Sequence, residues 1–480
     1  MFQFWLGFPG FHVIGDTYNS IALAKNDAHP VFIAYVVEFL YKCFGKHLYY
    51  LYLFNLVPFY VGLGFLVCGL YIHFRSKFAL LALFPLFIGN IYFQNFIIHE
   101  SFSLPMLLLC LYSLLLFLIL VPLNGNSGEL IFKWILCIFL SVLIFFALLW
   151  RHNAIFSVYP AFFIICYLLL RGLEGKKFVL WYIVSLFISA LLCVGIVIGV
   201  PKALVVNKAY PANHMMLHKI AGACVPADDS SCFRAEWYEK GKTWEDVKEV
   251  FYKYPLNADP MSLSWISNDV RPFKPNIKLE GLNKEFFKAV LKYPKNFLKL
   301  EGDFIKAMWT QSAGWALDPK RIQVPMWNIA SPFPENERNV TFSPLREKIY
   351  TFLFKYKMPF NHIINVITSS LVMIFSLLLL CIKREKVGNA MIWLYSKIAK
   401  ILGCDSKGLV FRESSYLKAL LVFSFSVGFA GFFSALFIAM FNPIINSRYM
   451  SPVTALGVMA FIGFVVCVCE YVRCVREREV

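Results

Sequence analysis

Four short polar clusters carry the residue types that could do chemistry. The first is Pro9-Gly10-Phe11-His12-Val13-Ile14-Gly15-Asp16, followed by Asp27-Ala28-His29-Pro30. Asp16 is an acceptor-only carboxylate that can take a proton or bind a metal, with Gly15 and Pro30 shaping the backbone around it. The plainer roles are Asp16 as the cap of a helix starting near Tyr18, and His29 as a loop residue before a helix begun by Pro30. The second cluster is His99-Glu100-Ser101, a short turn between two apolar runs. A carboxylate there loses hydration unless it is paired or wet; the alternative is a solvated Glu100 with Ser101 capping the next helix. The third is Trp150-Arg151-His152-Asn153, and the fourth runs from Asn442 through Arg448-Tyr449. The planar donor fork of arginine fits a phosphate or diphosphate, whereas an arginine with no ligand would simply reach toward lipid headgroups.

Other chemistries find no support. There is no Gly-rich phosphate loop, no Gly-x-Ser-x-Gly elbow and no His-Glu-x-x-His pattern. His214, His218, Asp228 and Asp229 match no strong metal-ligand spacing. Two carboxylates and two arginines therefore remain, a set suited to a reaction on a membrane-anchored phosphate substrate.

The elements that must position these residues are membrane helices. The 480 residues are 59% hydrophobic and only 16% charged, with a mean hydropathy of +0.63. Soluble domains average about 45–50% apolar and about 25% charged residues, so an ordinary soluble enzyme, a disordered chain and a nucleic-acid-binding protein are all excluded. The net charge of +17 falls largely between apolar runs, where it sets membrane orientation and creates no polyanion-binding patch. Thirteen cysteines are too sparse for a disulfide scaffold, and most lie within apolar runs. Cys224 and Cys232 sit instead in a polar stretch, where a short-loop disulfide would form if that side is oxidising.

Nine stretches have the length and composition of spans: 51–74, 78–97, 104–121, 131–150, 154–170, 178–200, 363–382, 418–440 and 452–469. One set of short loops carries Arg75, Lys77, Lys133, Arg171, Lys176, Lys177, Arg473, Arg476 and Arg478, against Arg151 and Arg448 on the other side. The first side is expected to be cytoplasmic. Residues 383–417 then form a cytoplasmic segment whose Met391, Leu394, Tyr395, Ile398, Ile401 and Leu402 recur at helical spacing, as in a helix lying on the membrane surface. Residues 201–360 form an external, mostly helical domain, with Thr243 and Asp246 marking a helix start and 286–309 reading as amphipathic. Residues 1–50 supply the first external loop with juxtamembrane helices, and 51–200 and 361–480 supply the spans. No internal repeat is present, so the inverted-repeat argument for a transporter is absent.

The clusters resemble those of bacterial glycosyltransferases of the C superfamily (GT-C), the polytopic type that includes protein O-mannosyltransferases and the lipid A aminoarabinose transferase. The run from Pro9-Gly10 to Asp16 and on to His29-Pro30 is similar to their first external loop, which begins Pro-Gly, carries an essential Asp and reaches His-Pro before the next helix. His99-Glu100-Ser101 is similar to the acidic turn of their second external loop, Arg151-His152-Asn153 to an Arg-x-Asn element, and Arg448-Tyr449 with Pro452 to the Arg-Tyr-x-x-Pro element before the last helix. Weaker similarity lies in His218-Lys219-Ile220-Ala221 and in Tyr293-Pro294 followed by Phe297-Leu298. The family places a membrane helix ahead of its first external loop and commonly has Asp where Glu100 stands. The expectation is that the start at Met1 omits a first helix, a translocated tail being the alternative.

The resemblance implies an all-α membrane protein: a GT-C-type polytopic helical bundle with an extracytoplasmic, mostly helical domain between the seventh and eighth of ten helices. It implies a bacterial inner-membrane location with the active site on the periplasmic or external face. The donor would be a sugar on a polyprenyl-phosphate-type lipid carrier, and the acceptor a glycolipid, polysaccharide or protein. Asp16 would be the general base, and Arg151 and Arg448, with His29, would bind the donor phosphate. His99, Asn153 and Tyr449 would position donor or acceptor. Glu100 would either orient the acceptor or help hold a divalent cation with Asp16, and the metal requirement stays open. Single displacement predicts inversion at the anomeric carbon. Two rival readings are a transporter or flippase of lipid-linked saccharide and a surface-polysaccharide polymerase or ligase; the near absence of charge within the spans favours the enzyme over the flippase.

Overall fold

The computed structural model describes residues 12–13, 21–75, 77, 80, 97–98, 100–121, 127–264, 266–310, 343–355, 362–382, 384–401, 409–411, 414–442 and 444–477. Seven helices among them are long and apolar enough to cross a membrane, as expected of an all-α, multi-pass membrane protein. Helix α1 (Val31–Phe44) is followed by α2 (Tyr49–Phe74), α3 (Glu100–Leu120) and α4 (Ser127–Trp150). Of the nine expected spans, 78–97 lies almost wholly outside the described residues. The expected span 154–170 is an apolar stretch shorter than those seven and built in two pieces, α5 (Ile155–Val158) and α6 (Ala161–Leu170). Pro160 lacks the N–H that would continue the helix, and the backbone passes the break on three-residue bonds such as Phe162 N to Tyr159 O and Phe163 N to Pro160 O.

Next come α7 (Gly175–Leu204), then α8 (Ala212–Cys224), α9 (Trp244–Lys253), α10 (Leu282–Lys292) and α11 (Pro294–Thr310), the main helices of the inserted domain. The chain closes with α12 (Pro344–Lys355), α13 (His362–Cys381), α14 (Arg384–Ile401), α15 (Leu417–Phe441) and α16 (Ser451–Cys474). The amphipathic run expected over 286–309 is likewise two helices, because Pro294 starts a new one after Tyr293. At the start of α9 the Asp246 carboxylate accepts from the Thr243 N–H (2.7 Å) and hydroxyl (3.0 Å), the expected capping arrangement. Within the expected interfacial segment, α14 is helical and packs against β3 (Leu409–Phe411), which pairs antiparallel with β4 (Val475–Glu477).

Small residues set the helix packing. Asn55, Gly62 and Gly69 of α2 face Ser103, Cys110 and Phe117 of α3, the same seven-residue step on both sides, so the two helices run parallel and begin at one face. A Cβ at Gly62 would stand 2.9 Å from the Cys110 Cα, and one at Gly428 of α15 would stand 2.7 Å from the backbone of α13. Such close backbone approach replaces the hydrophobic drive that lipid does not supply. Helix α3 is sheathed by α2, α4 and α16, and its side chains from Leu104 to Leu120 are nearly all buried.

Candidate functional site

The described residues of the four sequence clusters fall at the face where α2 and α3 begin, called here the loop face. Helix α4 reaches it at Trp150, a buried ring that packs against Phe54 and Phe146, and Arg151 follows directly. The Arg151-His152-Asn153 turn closes through Ala154 N to Arg151 O (3.1 Å) and Phe156 N to Asn153 O (3.4 Å). Helix α15 ends at Phe441, and a 3₁₀ turn, Ser447–Met450, leads into α16. That turn starts on Asn446, whose side-chain oxygen accepts from the Arg448 N–H at 3.1 Å.

The two arginines, nearly 300 residues apart, meet on one ring. The Arg151 and Arg448 guanidinium carbons each lie 5.0 Å from the centre of the Tyr449 ring. Arg448 Nη2 also donates to the Tyr449 hydroxyl at 3.2 Å. A ring face stabilises a nearby guanidinium by about 0.5–1 kcal/mol, more when desolvated. Two like charges on one ring repel, and an anion between them would be attracted by both. The ring itself is held in an apolar layer with Met308, Val366, Ile438, Met450 and Val453.

The backbone of Glu100 lies on the adjoining helix. The Ser447–Met450 turn packs against α3, whose first residue is Glu100. Asp16 and His99 fall outside the described residues, and Glu100 is described by its backbone alone. The first loop nevertheless meets the start of α3: β1 (His12–Val13) pairs parallel with β2 (Ile97–Ile98), in the register His12 to Ile97 and Val13 to Ile98. The pair Val13 to Ile98 therefore stands two residues before Glu100 and three before Asp16 in sequence.

His29 is half-buried in a turn that docks on the chain leaving α7. There the Asp27 carboxylate accepts from the Ala209 N–H, and the Lys25 carbonyl from Val206 and Asn207. Beside it Glu38 lies 2.8 Å from both Lys25 and Lys42, and their hydrogen bonds hold its carboxyl down at about 2. Among the described residues the Tyr449 ring is met by the two arginines and not by His29.

The inserted domain sits over this face with its own core, formed by Leu217, Ile220, Trp237, Val250, Phe273 and Phe304 with their neighbours. Cys224 and Cys232 are joined in a disulfide. They are also the sulfurs of the Cys224, Asp229 and Cys232 group, the described cluster with metal-binding spacing, and their bond removes them as ligands. The four polar residues considered for a metal are dispersed. His218 Nε2 is 3.3 Å from the Tyr254 carbonyl; Asp228 accepts from Trp244 and Lys248, and Asp229 from Ser231, Lys292 and Tyr293. His214 lies 3.9 Å from Asp259, too far for a hydrogen bond. Burial dominates at both histidines and lowers each to about 4. The Lys292 hydrogen bond, with help from Ser231, holds Asp229 well below the ordinary carboxylate range.

Sequence reasoning missed two groups. Lys219 of α8 and Glu301 of α11 form a buried ion pair, and Lys219 Nζ also donates to the Met440 carbonyl at the end of α15. Burial pushes the Lys219 ammonium down and the Glu301 carboxyl up, each opposed by its partner's charge. Glu301 sits inside an amphipathic helix rich in lysine, where one more carboxylate is no signal; only the packing brings it to Lys219. A second group lies at the opposite face. His73 Nε2 of α2 is 2.8 Å from Glu470 Oε2 of α16 and 3.1 Å from Arg473 Nη1, with the His73 and Glu470 side chains buried. Comparison of the chain with protein-family models, curated proteins and solved structures returns no match in any of the three.

Proposed function

We propose that this chain is an integral membrane glycosyltransferase that moves a sugar from a polyprenyl-phosphate-type carrier to an acceptor hydroxyl at the loop face. The observation that carries the reading is the convergence of Arg151 and Arg448 on Tyr449, beside the start of α3. In this mechanism the acceptor oxygen attacks the anomeric carbon while Asp16 takes its proton. The bond from that carbon to the carrier phosphate breaks, and the leaving phosphate keeps the electron pair. The two guanidiniums stabilise the charge developing on it, a task that needs fixed donors and no proton transfer. Glu100 orients the acceptor or shares a cation with Asp16, and attack opposite the leaving group inverts the anomeric centre.

Two further observations support the reading. The Cys224–Cys232 disulfide suits an oxidising compartment, in agreement with a loop face turned away from the cytoplasm of a bacterial inner membrane. Phe425, Phe429, Phe433, Phe437 and Phe441 form a partly exposed stripe along α15, with neighbouring ring centres 4.0–6.0 Å apart. Phe156, close to Arg151 in sequence, stacks on Phe437 at 4.3 Å. An apolar carrier chain lying along that stripe would deliver its phosphate toward the arginines.

The buried His73 and Glu470, with the exposed Arg473 beside them, favour the second reading, a flippase, because such a protein needs polar groups at both faces. The three are, however, bonded to one another and so satisfied in place. The test is mass spectrometry of surface glycolipids and glycoproteins from a deletion strain complemented with the wild type or Asp16→Asn. One sugar-sized mass should vanish in the deletion and return only with the wild type, while the lipid-linked donor accumulates. Full restoration by Asp16→Asn removes the general base and puts the flippase ahead.

A further inference from the structure

The domain grips the loop that bears Arg448 through charge as well as apolar contact. Helix α15 ends at Phe441, so the Met440 carbonyl is one of four left without a partner inside the helix. Lys219 supplies that partner from another domain, placing a cation at the helix end where the backbone dipole is negative. Glu301 balances the cation, and both side chains are more than nine-tenths buried. One turn further along α11, Ile305, Met308 and Trp309 enter the apolar layer that holds Ile445, Tyr449 and Met450. Trp309 Nε1 donates to the Ala435 carbonyl at 3.1 Å, and Asn257 bridges to Ile444. The polar ties among these land on the last two turns of α15 or on the segment between α15 and α16, while the apolar layer also takes in Val366 of α13 and Val453 of α16.

We propose that Lys219 and Glu301 are positioning residues: an ionic latch through which the inserted domain holds the 440–450 segment, and with it Arg448 and Tyr449, over Arg151. Their consequence for donor binding rests on the function proposed above; the latch itself does not. The choice of residue types argues for positioning. A buried ion pair adds little stability over well-packed apolar residues of the same volume. What it adds here is direction, because Lys219 binds one particular carbonyl and an apolar pair would bind none.

Hydrogen–deuterium exchange of the full-length chain in lipid nanodiscs tests the latch without reference to activity. Lys219→Met should raise exchange in peptides covering 440–450 by about tenfold, equivalent to roughly 1.4 kcal/mol. Lys219→Arg, which keeps a donor and a charge, should stay near wild type. The variant Lys219→Met/Glu301→Met leaves no buried unpaired charge, so it should return residues 212–300 to wild-type protection while 440–450 still exchanges fast. Wild-type protection of 440–450 in that double variant, or in Lys219→Met alone, overturns the proposal. So does an increase spread evenly over 212–310, which would mean a stability role only. In parallel, the KM for lipid-linked donor should rise in Lys219→Met with kcat changed less. Fast exchange with an unmoved KM would leave the latch standing and sink the assignment of Arg448 to donor phosphate.

Discussion

Tyr449 does at the residue scale what neither arginine could do alone. Arg151 follows one helix and Arg448 precedes another, and each is the kind of interfacial arginine that abounds near lipid headgroups. Only the shared ring, 5.0 Å from both, makes them a pair. If the pair holds a phosphate, Arg448→Ala should lower kcat/KM by about 10²–10³-fold, the scale of removing one charge-stabilising donor. Arg448→Lys should recover part of that loss, since it keeps the charge and loses the fork. Equal rates for the two variants, measured with purified lipid-linked donor, would argue against a two-pronged contact. The residue types of this site were legible in the sequence, because arginine and carboxylate are conspicuous at the ends of apolar runs. The arginines' meeting on the Tyr449 ring was not, since it depends on which helix ends meet.

At the scale of elements, local signals were read well and breaks poorly. Thr243 and Asp246 are three residues apart, and their hydrogen bonds need nothing from the rest of the chain. Pro160 and Pro294 divide stretches whose apolar pattern continues across them, so periodicity alone overstated both helices. The domain's own helices make a further prediction about acid. His214 and His218 ordinarily titrate near 6.5 and are lowered to about 4 by burial. Between those values the unfolded chain binds protons that the folded domain refuses, so stability is lost as pH falls from about 6.5 to 4, by up to about 3 kcal/mol per histidine. Glu301, raised by burial, works in the opposite sense, so the histidine part is read by difference. His218 packs against the rings of Phe251 and Phe304. In a protease-resistance assay on the full chain from pH 7 to pH 4, His218→Phe should lose protection less steeply than wild type. Parallel curves would mean that His218 takes up its proton without cost.

For the molecule as a whole, orientation ties site and domain to function. Labelling in intact cells tests the proposed orientation, with the loop face outside: a membrane-impermeant maleimide should modify the exposed Cys43 near the loop face. Lys177→Cys, at the opposite face, should react only after permeabilisation; the reverse pattern would invert the topology. By itself the sequence determined the class of protein, most of the span positions and the polar residues that stand out against them. These follow from composition and from interactions within a few residues, which every copy of the sequence carries whatever its fold. The tertiary structure alone decided that Arg151 reaches Tyr449, that the strand before Asp16 pairs with the strand before Glu100, and that Lys219 and Glu301 close on the Met440 carbonyl. Those contacts span from tens of residues to nearly 300. They are set by how helices pack through small residues such as Gly62 and Gly428, where backbone approach depends on both partners and neither stretch announces the other.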